Sequence, residues 1–144
     1  EIFKKSIAFN KFLKKIDKYK NTQLNDIKKI EKLLIKEKDN LDNSRAILSD
    51  LEFNKKLLIY NNKVDDYENK INLINQEIYN SIEESKELMT NEIDVILQIL
   101  ARKNNIEIIF SENNYVIATK KIDLTDTVIN ELNKRIKNIK FKNN

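Results

Sequence analysis

From Phe53 to Ile78 the apolar residues recur at alternating intervals of four and three: Phe53, Leu57, Tyr60, Val64, Tyr67, Ile71, Ile74 and Ile78. That spacing keeps them on one face of an α-helix and forms the seam of a coiled coil. The stripe runs straight through Asn61 and Asn62, which are therefore expected at exposed helical positions. A second stripe precedes it, with Phe9, Leu13 and Ile16 followed by Leu24, Ile27, Ile30, Leu34 and Leu41. Residues 18–26 interrupt this stripe and predict a break or joint, with Asn21 or Thr22 as a cap. Between the two stripes, residues 36–46 hold only Leu41 and Ala46 as apolar residues. Asp39, Asn40, Asp42, Asn43 and Ser44 favour side-chain to backbone bonding over helix there. The pattern predicts a turn at about residues 39–46, with Asn43 or Ser44 capping a returning helix. That helix, from about residue 46 to 103, spans roughly 85 Å at the usual helical rise. Near its end Ile93, Val95, Ile96, Leu97, Ile99 and Leu100 cover most faces, which predicts burial on several sides.

The pattern then changes period. Residues 106–110 (IEIIF) and 115–119 (YVIAT) are β-branched and aromatic, and Ser111, Glu112, Asn113 and Asn114 separate them. Asn tolerates the left-handed turn conformation, so a β-hairpin is expected. Both of its faces are apolar. An isolated hairpin is barely stable, and the rest of the chain offers no further strand. A last helix is predicted from residues 123–129 (DLTDTVI), with Thr125 as N-cap and Leu124 against Ile129 as a hydrophobic staple. Its buried face would be Ile129, Leu132, Ile136 and Ile139.

Composition sharpens this outline. Gly and Pro are absent from the 144 residues, so long uninterrupted helices are favoured. Cys and His are absent as well, which removes thiol nucleophiles, disulfides, most zinc and haem sites and the commonest general base. No cofactor is expected. Asp65–Asp66 and Glu83–Glu84 are adjacent helix positions about 100° apart and do not converge on a ligand. No Gly-rich phosphate loop exists, so nucleotide chemistry is not expected, nor is nucleic-acid binding despite Lys clusters such as residues 12–20. Those clusters do allow peripheral contact with acidic lipid headgroups. Residues 1–40 hold twelve cations and six anions, and residues 41–100 hold six and twelve. This switch of sign at the expected turn suggests antiparallel pairing of the two helices.

A helix ending in residues 96–105 (ILQILARKNN), the segment 106–118 (IEIIFSENNYVIA) and then 120–132 (KKIDLTDTVINEL) together resemble the Skp/OmpH family of periplasmic chaperones. The likeness runs through Ile99, Leu100, Ala101, Ile106, Ile108, Ile109, Tyr115, Asp123, Leu124, Thr125, Asp126 and Val128. Residues 2–13 look like the family segment just after its first strand, and residues 46–57 look like the start of its returning helix. The family's Gly before the first hairpin strand is Asn104 or Asn105 here. The resemblance implies a mainly α protein with a small β body: a long antiparallel coiled-coil hairpin arm, a C-terminal β-hairpin and a helix, assembling as a trimer with a shared β-body. Residues 1–20 and 88–144 would form the body and residues 21–87 the arm. Ile106, Ile108, Ile109, Phe110, Tyr115 and Ile117 would build the oligomer body. The first strand and a signal peptide of the family are expected upstream of this sequence. Function would be that of a periplasmic holdase, working without ATP and with no enzymatic activity, that binds unfolded outer-membrane proteins in a cavity between the arms of a homotrimer. Off-stripe Leu33, Ile35, Ile47 and Ile59 are the candidate client contacts; the plainer reading is that they widen the helical seam or are ordinary scattered surface hydrophobes. The rival class is a structural or adaptor coiled coil that binds one defined protein partner.

Overall fold

The computed structural model describes residues 1–114 and 116–141. Among them the regular elements are helices α1 (Ile2–Lys5), α2 (Ile7–Ser44), α3 (Asp50–Asn104) and α4 (Thr125–Arg135), with 3-10 turns at Glu112–Asn114 and Lys120–Ile122. The chain divides into two compact units, a hairpin unit of Asp17–Tyr79 and a terminal unit of Glu1–Ile16 with Asn80–Asn144.

In the hairpin unit the two stripes meet. Ile27, Leu34 and Leu41 of α2 are buried, and all eight stripe residues of α3 are half-buried. The Tyr19 hydroxyl donates to Glu77 at 2.5 Å, and Lys63 Nζ lies 2.6 Å from Glu37 Oε1, which sets the helices antiparallel. This ion pair joins an acid on α2 to a base on α3, the reverse of the bulk charge switch. No break occurs at residues 18–26, because Tyr19 and Gln23 take the seam positions between Ile16 and Ile27 while Leu24 turns outward. Likewise α2 continues through Asp39, Asn40, Asp42 and Asn43 to Ser44. Buried Leu41 and the Lys38–Asp42 ion pair at 2.7 Å hold that last turn helical. The chain reverses over residues 45–49, and Ser49, not Asn43 or Ser44, starts the returning helix. Ser49 Oγ accepts the Glu52 N–H at 3.3 Å, while Glu52 Oε2 accepts from the Ser49 N–H at 3.2 Å and from its hydroxyl at 2.6 Å. This is a capping box.

The core of the terminal unit gathers both ends of the chain. Phe12, Met89, Ile96 and Leu132 are fully buried, with Val128, Ile139 and Phe141 beside them. Phe12 stacks on Phe9 at 6.1 Å and meets Phe141 edge-on at 6.4 Å. The start of α2 is fixed by three contacts. Ser6, extended and buried, accepts the Phe9 N–H on its hydroxyl at 3.3 Å. Asn10 Nδ2 donates to the Lys4 carbonyl at 2.8 Å. The Ile7 N–H donates to Asn133 Oδ1 at 2.9 Å. Orphan helix-end groups are thereby satisfied. Helix α4 opens one residue differently from the expected cap. Thr125 lies inside it, and Asp123 Oδ1 accepts the Thr125 N–H at 2.9 Å. Ile129, Leu132 and Ile139 are buried as the pattern requires, although the helix ends at Arg135 and Ile139 sits in the extended tail.

The expected β-hairpin, and with it the shared β-body trimer, is overturned: no strand occurs among the described residues. Residues 106–111 and 116–119 follow no regular element. The physical reason is the two-faced apolar pattern itself. A single chain supplies nothing to cover either face, and two strands alone do not hold. The burial expected all round the end of α3 also fails, since Val95 and Ile99 are exposed beside buried Ile96.

Helix α3 ends at Asn104, and Asn105 takes φ 53°. The Ile106 N–H donates back to the Ala101 carbonyl at 2.9 Å, closing a Schellman turn. Of the two residues expected where the resembled family has Gly, Asn104 and Asn105, it is Asn105 that takes a left-handed φ, which Asn tolerates.

Two outcomes follow for urea unfolding followed by circular dichroism. Phe12→Ala removes the side chain at the centre of the aromatic cluster and lowers stability by about 3–5 kcal/mol. Asn105→Val, which places a β-branched residue at positive φ, costs about 1–2 kcal/mol, whereas Asn105→Gly costs nothing.

Candidate functional surface

A seam only one stripe wide leaves the remaining apolar residues of the hairpin unit uncovered. All four candidate contacts are exposed: Ile47 at 85%, Leu33 at 61%, Ile59 at 57% and Ile35 at 56%. They do not widen the seam. The structure adds Leu51, Leu58, Leu73 and Tyr79 to the same exposed class. Leu51 and Leu58 are seven residues apart and share a helix face, and Ile47 precedes that face in the turn. The signal that singles out Ile59, an apolar residue off the four–three stripe, applies to these residues too.

The reversal that presents Ile47 is braced by polar groups. Arg45 Nη1 lies 2.9 Å from Asp50 Oδ1, and the same guanidinium sits 4.5 Å from the centroid of the Phe53 ring. Ser44 Oγ donates to the Leu41 carbonyl at 2.8 Å. With the Ser49–Glu52 box these contacts fix both ends of residues 45–49, so Ile47 is held outward on a stiff turn. Beside it a small open groove is lined by Asn40, Leu41, Ser44, Lys56, Ile59 and Tyr60.

In the terminal unit the expected oligomer-body residues lie on the connector between α3 and α4. Ile106 is half-buried, and Ile108, Ile109, Phe110 and Ile117 are exposed. Tyr115 lies outside the described residues. Val116, at 98% exposure, joins them.

The electrostatics are those of a solvated surface. Groups with shifted titration are held by local pairs: Lys29 beside Asp26 and Lys134 beside Glu131 lower those carboxyls through hydrogen bonds and charge, and Thr125 lowers Asp123. Asp65 and Asp66 are exposed. Among the described residues no group of acids could hold a metal ion, and no helix is long and apolar enough to cross a membrane.

A family model described as Outer membrane protein (OmpH-like) matches residues 1–132. The chain belongs to this OmpH-like family. The family is that of the OmpH/Skp-like periplasmic chaperones, a non-catalytic family. A crystal structure from Caulobacter crescentus CB15, described as a candidate outer membrane chaperone (OmpH-like), is similar over 97% of this chain and 83% of that one. The TM-score is 0.84 at 15% identity, a likeness of fold. No curated protein matches the chain.

The capping box gives a titration that reports on the turn of the OmpH-like protein. Hydrogen bonds from the Ser49 hydroxyl, and then from its N–H, hold the Glu52 carboxyl below its ordinary 4.5. A carboxyl lowered on folding adds stability above its unfolded value; that contribution is lost as pH falls through the lower, folded value. Carboxyl-carbon NMR should therefore place the Glu52 midpoint below 4.5. Ser49→Ala removes the hydroxyl but keeps the N–H, so it should move the midpoint back toward 4.5 and weaken the pH dependence of the turn.

Proposed function

We propose that this OmpH-like protein is an ATP-independent holdase that keeps unfolded outer-membrane proteins soluble, with the hairpin unit as its client surface. The observation that carries the reading is the set of large apolar side chains left outside the seam, Ile47, Leu51, Leu58 and Ile59 foremost. A structural coiled coil has reason to bury or replace such residues. A holdase needs them, because apolar contact of about 25 cal/mol per Å² is non-directional and reads no sequence. Many weak contacts spread along two helices fit a partner that has no fixed shape.

A homotrimer whose hairpin units enclose the client is part of the proposal. The support for self-association is the uncovered apolar connector with Ile108, Phe110, Val116 and Ile117, a patch that soluble monomers rarely leave open. Peripheral contact with acidic lipid headgroups is proposed for the exposed lysines of the first turns of α2, Lys11 and Lys14 among them.

The test is dilution of a urea-unfolded β-barrel protein with and without the OmpH-like protein, read by light scattering. Suppressed aggregation at near-equimolar ratios, unchanged by ATP, is expected; equal aggregation in both samples sinks the reading. Replacing Ile47, Leu51 and Leu58 together with Ser should leave the helical content intact, since all three are exposed. It should weaken client affinity about tenfold, equivalent to about 1.4 kcal/mol. Mass by light scattering tests the trimer, and a monomer at every concentration overturns it.

A further inference from the structure

We infer that the hairpin unit selects client segments by apolar content and does not discriminate by their charge. This rests on the holdase reading and names the chemistry of the segments held. Asp17–Tyr79 carries twelve Lys and Arg and twelve Asp and Glu, so the unit has no net charge. The whole excess of the chain, +4, belongs to the terminal unit. The steep switch of sign along the chain also dissolves inside the hairpin unit: residues 17–44 carry seven cations and six anions, and residues 50–79 carry four and six.

Four of the twelve cations are also paired locally. Lys29–Asp26, Lys38–Asp42, Arg45–Asp50 and Lys63–Glu37 are ion pairs of 2.6–3.0 Å within the unit. Fields of opposite sign at such spacing cancel beyond the screening length of about 8 Å at physiological salt. An approaching chain is therefore neither steered nor repelled. A charged segment of either sign meets cations and anions in equal number there, Lys55 and Lys56 among the exposed ones outside the ion pairs, so neither sign is favoured. An apolar segment gains contact with Leu33, Ile35, Ile47, Leu51, Leu58 and Ile59, which stand exposed among the paired charges. The class of segment that fits is an uncharged or charge-balanced apolar stretch, of either net sign in its flanks.

The experiment uses two labelled peptides with one β-strand pattern and the same apolar residues, their flanks adjusted to net charges of about +4 and about −4, values chosen to exceed ordinary surface screening. Each is titrated with the full chain at physiological salt and read by fluorescence anisotropy. Affinities within about threefold of each other are expected, a margin of less than 1 kcal/mol. A preference of tenfold or more for either peptide, with binding retained, overturns this inference and leaves the holdase reading standing. Absence of binding to both overturns the two together. The double variant Lys55→Glu with Lys56→Glu, at exposed positions outside the ion pairs, gives the hairpin unit a net negative charge and should create a preference of about fivefold for the cationic peptide. Unchanged affinity for both peptides in that variant would mean that they bind elsewhere, and the inference fails.

Discussion

The constraint on which the rest depends is the width of the apolar stripe. Without Gly or Pro to turn the chain, α2 and α3 run for 38 and 55 residues, and each must bury something along its length. A stripe of one residue per helical turn satisfies the pairing and no more. In the hairpin unit it buries Ile27, Leu34 and Leu41 and half-covers their partners on α3. The narrowness has a cost in stability and a use in function: a seam that consumed every apolar residue would leave no surface for another chain. In the terminal unit the same rule is relaxed by aromatic residues from α2 and the tail, and there a core closes around Phe12 and Leu132.

Periodicity made the long helices legible, because a four–three spacing has one structural solution. The α3 stripe from Phe53 to Ile78 lies on the partner-facing side at every position. Local composition was a poorer guide. Residues 18–26 and 39–44 look like breaks because Asn, Asp and Thr prefer turns in isolation. Tertiary contacts at Tyr19, Gln23 and Leu41 overrode that preference. Caps were displaced by a few residues for a related reason: several oxygen-bearing side chains compete at each helix start. Only geometry decides that Ser49 and Asp123 accept the free N–H groups and that Asn43 and Thr125 do not. The break at Ser6 left no mark in the apolar pattern, since Ile2, Phe3 and Phe9 continue it on both sides.

The C-terminal connector shows a different limit. Its β-branched composition reports a preference for extended backbone, and strand pairing requires a partner that composition does not name. The candidate client surface was legible in kind but not in extent. Leu33, Ile35, Ile47 and Ile59 stood out as apolar residues off the stripe, while Leu51 and Leu58 needed the exposure seen in the fold. The Asn pair at the end of α3 stood out in the sequence, and the positive φ at Asn105 gives the reason an Asn suits that position.

The contacts that join the two ends of the chain also impose an order on folding. The hairpin unit can form from pairs as near in sequence as Glu37 and Lys63, 26 residues apart. In the terminal unit, Ile7 to Asn133 spans 126 residues and Lys15 to Asn138 spans 123. Loop closure over such distances is entropically dear, and the meeting of Tyr19 with Glu77 shortens the loop before the ends have to find each other. Loop-closure entropy therefore favours the low-separation contacts first and the aromatic cluster, which needs Phe141, last. Until then Phe9 and Phe12 are open to water. For that interval the chaperone is itself an unfinished chain with exposed aromatic side chains.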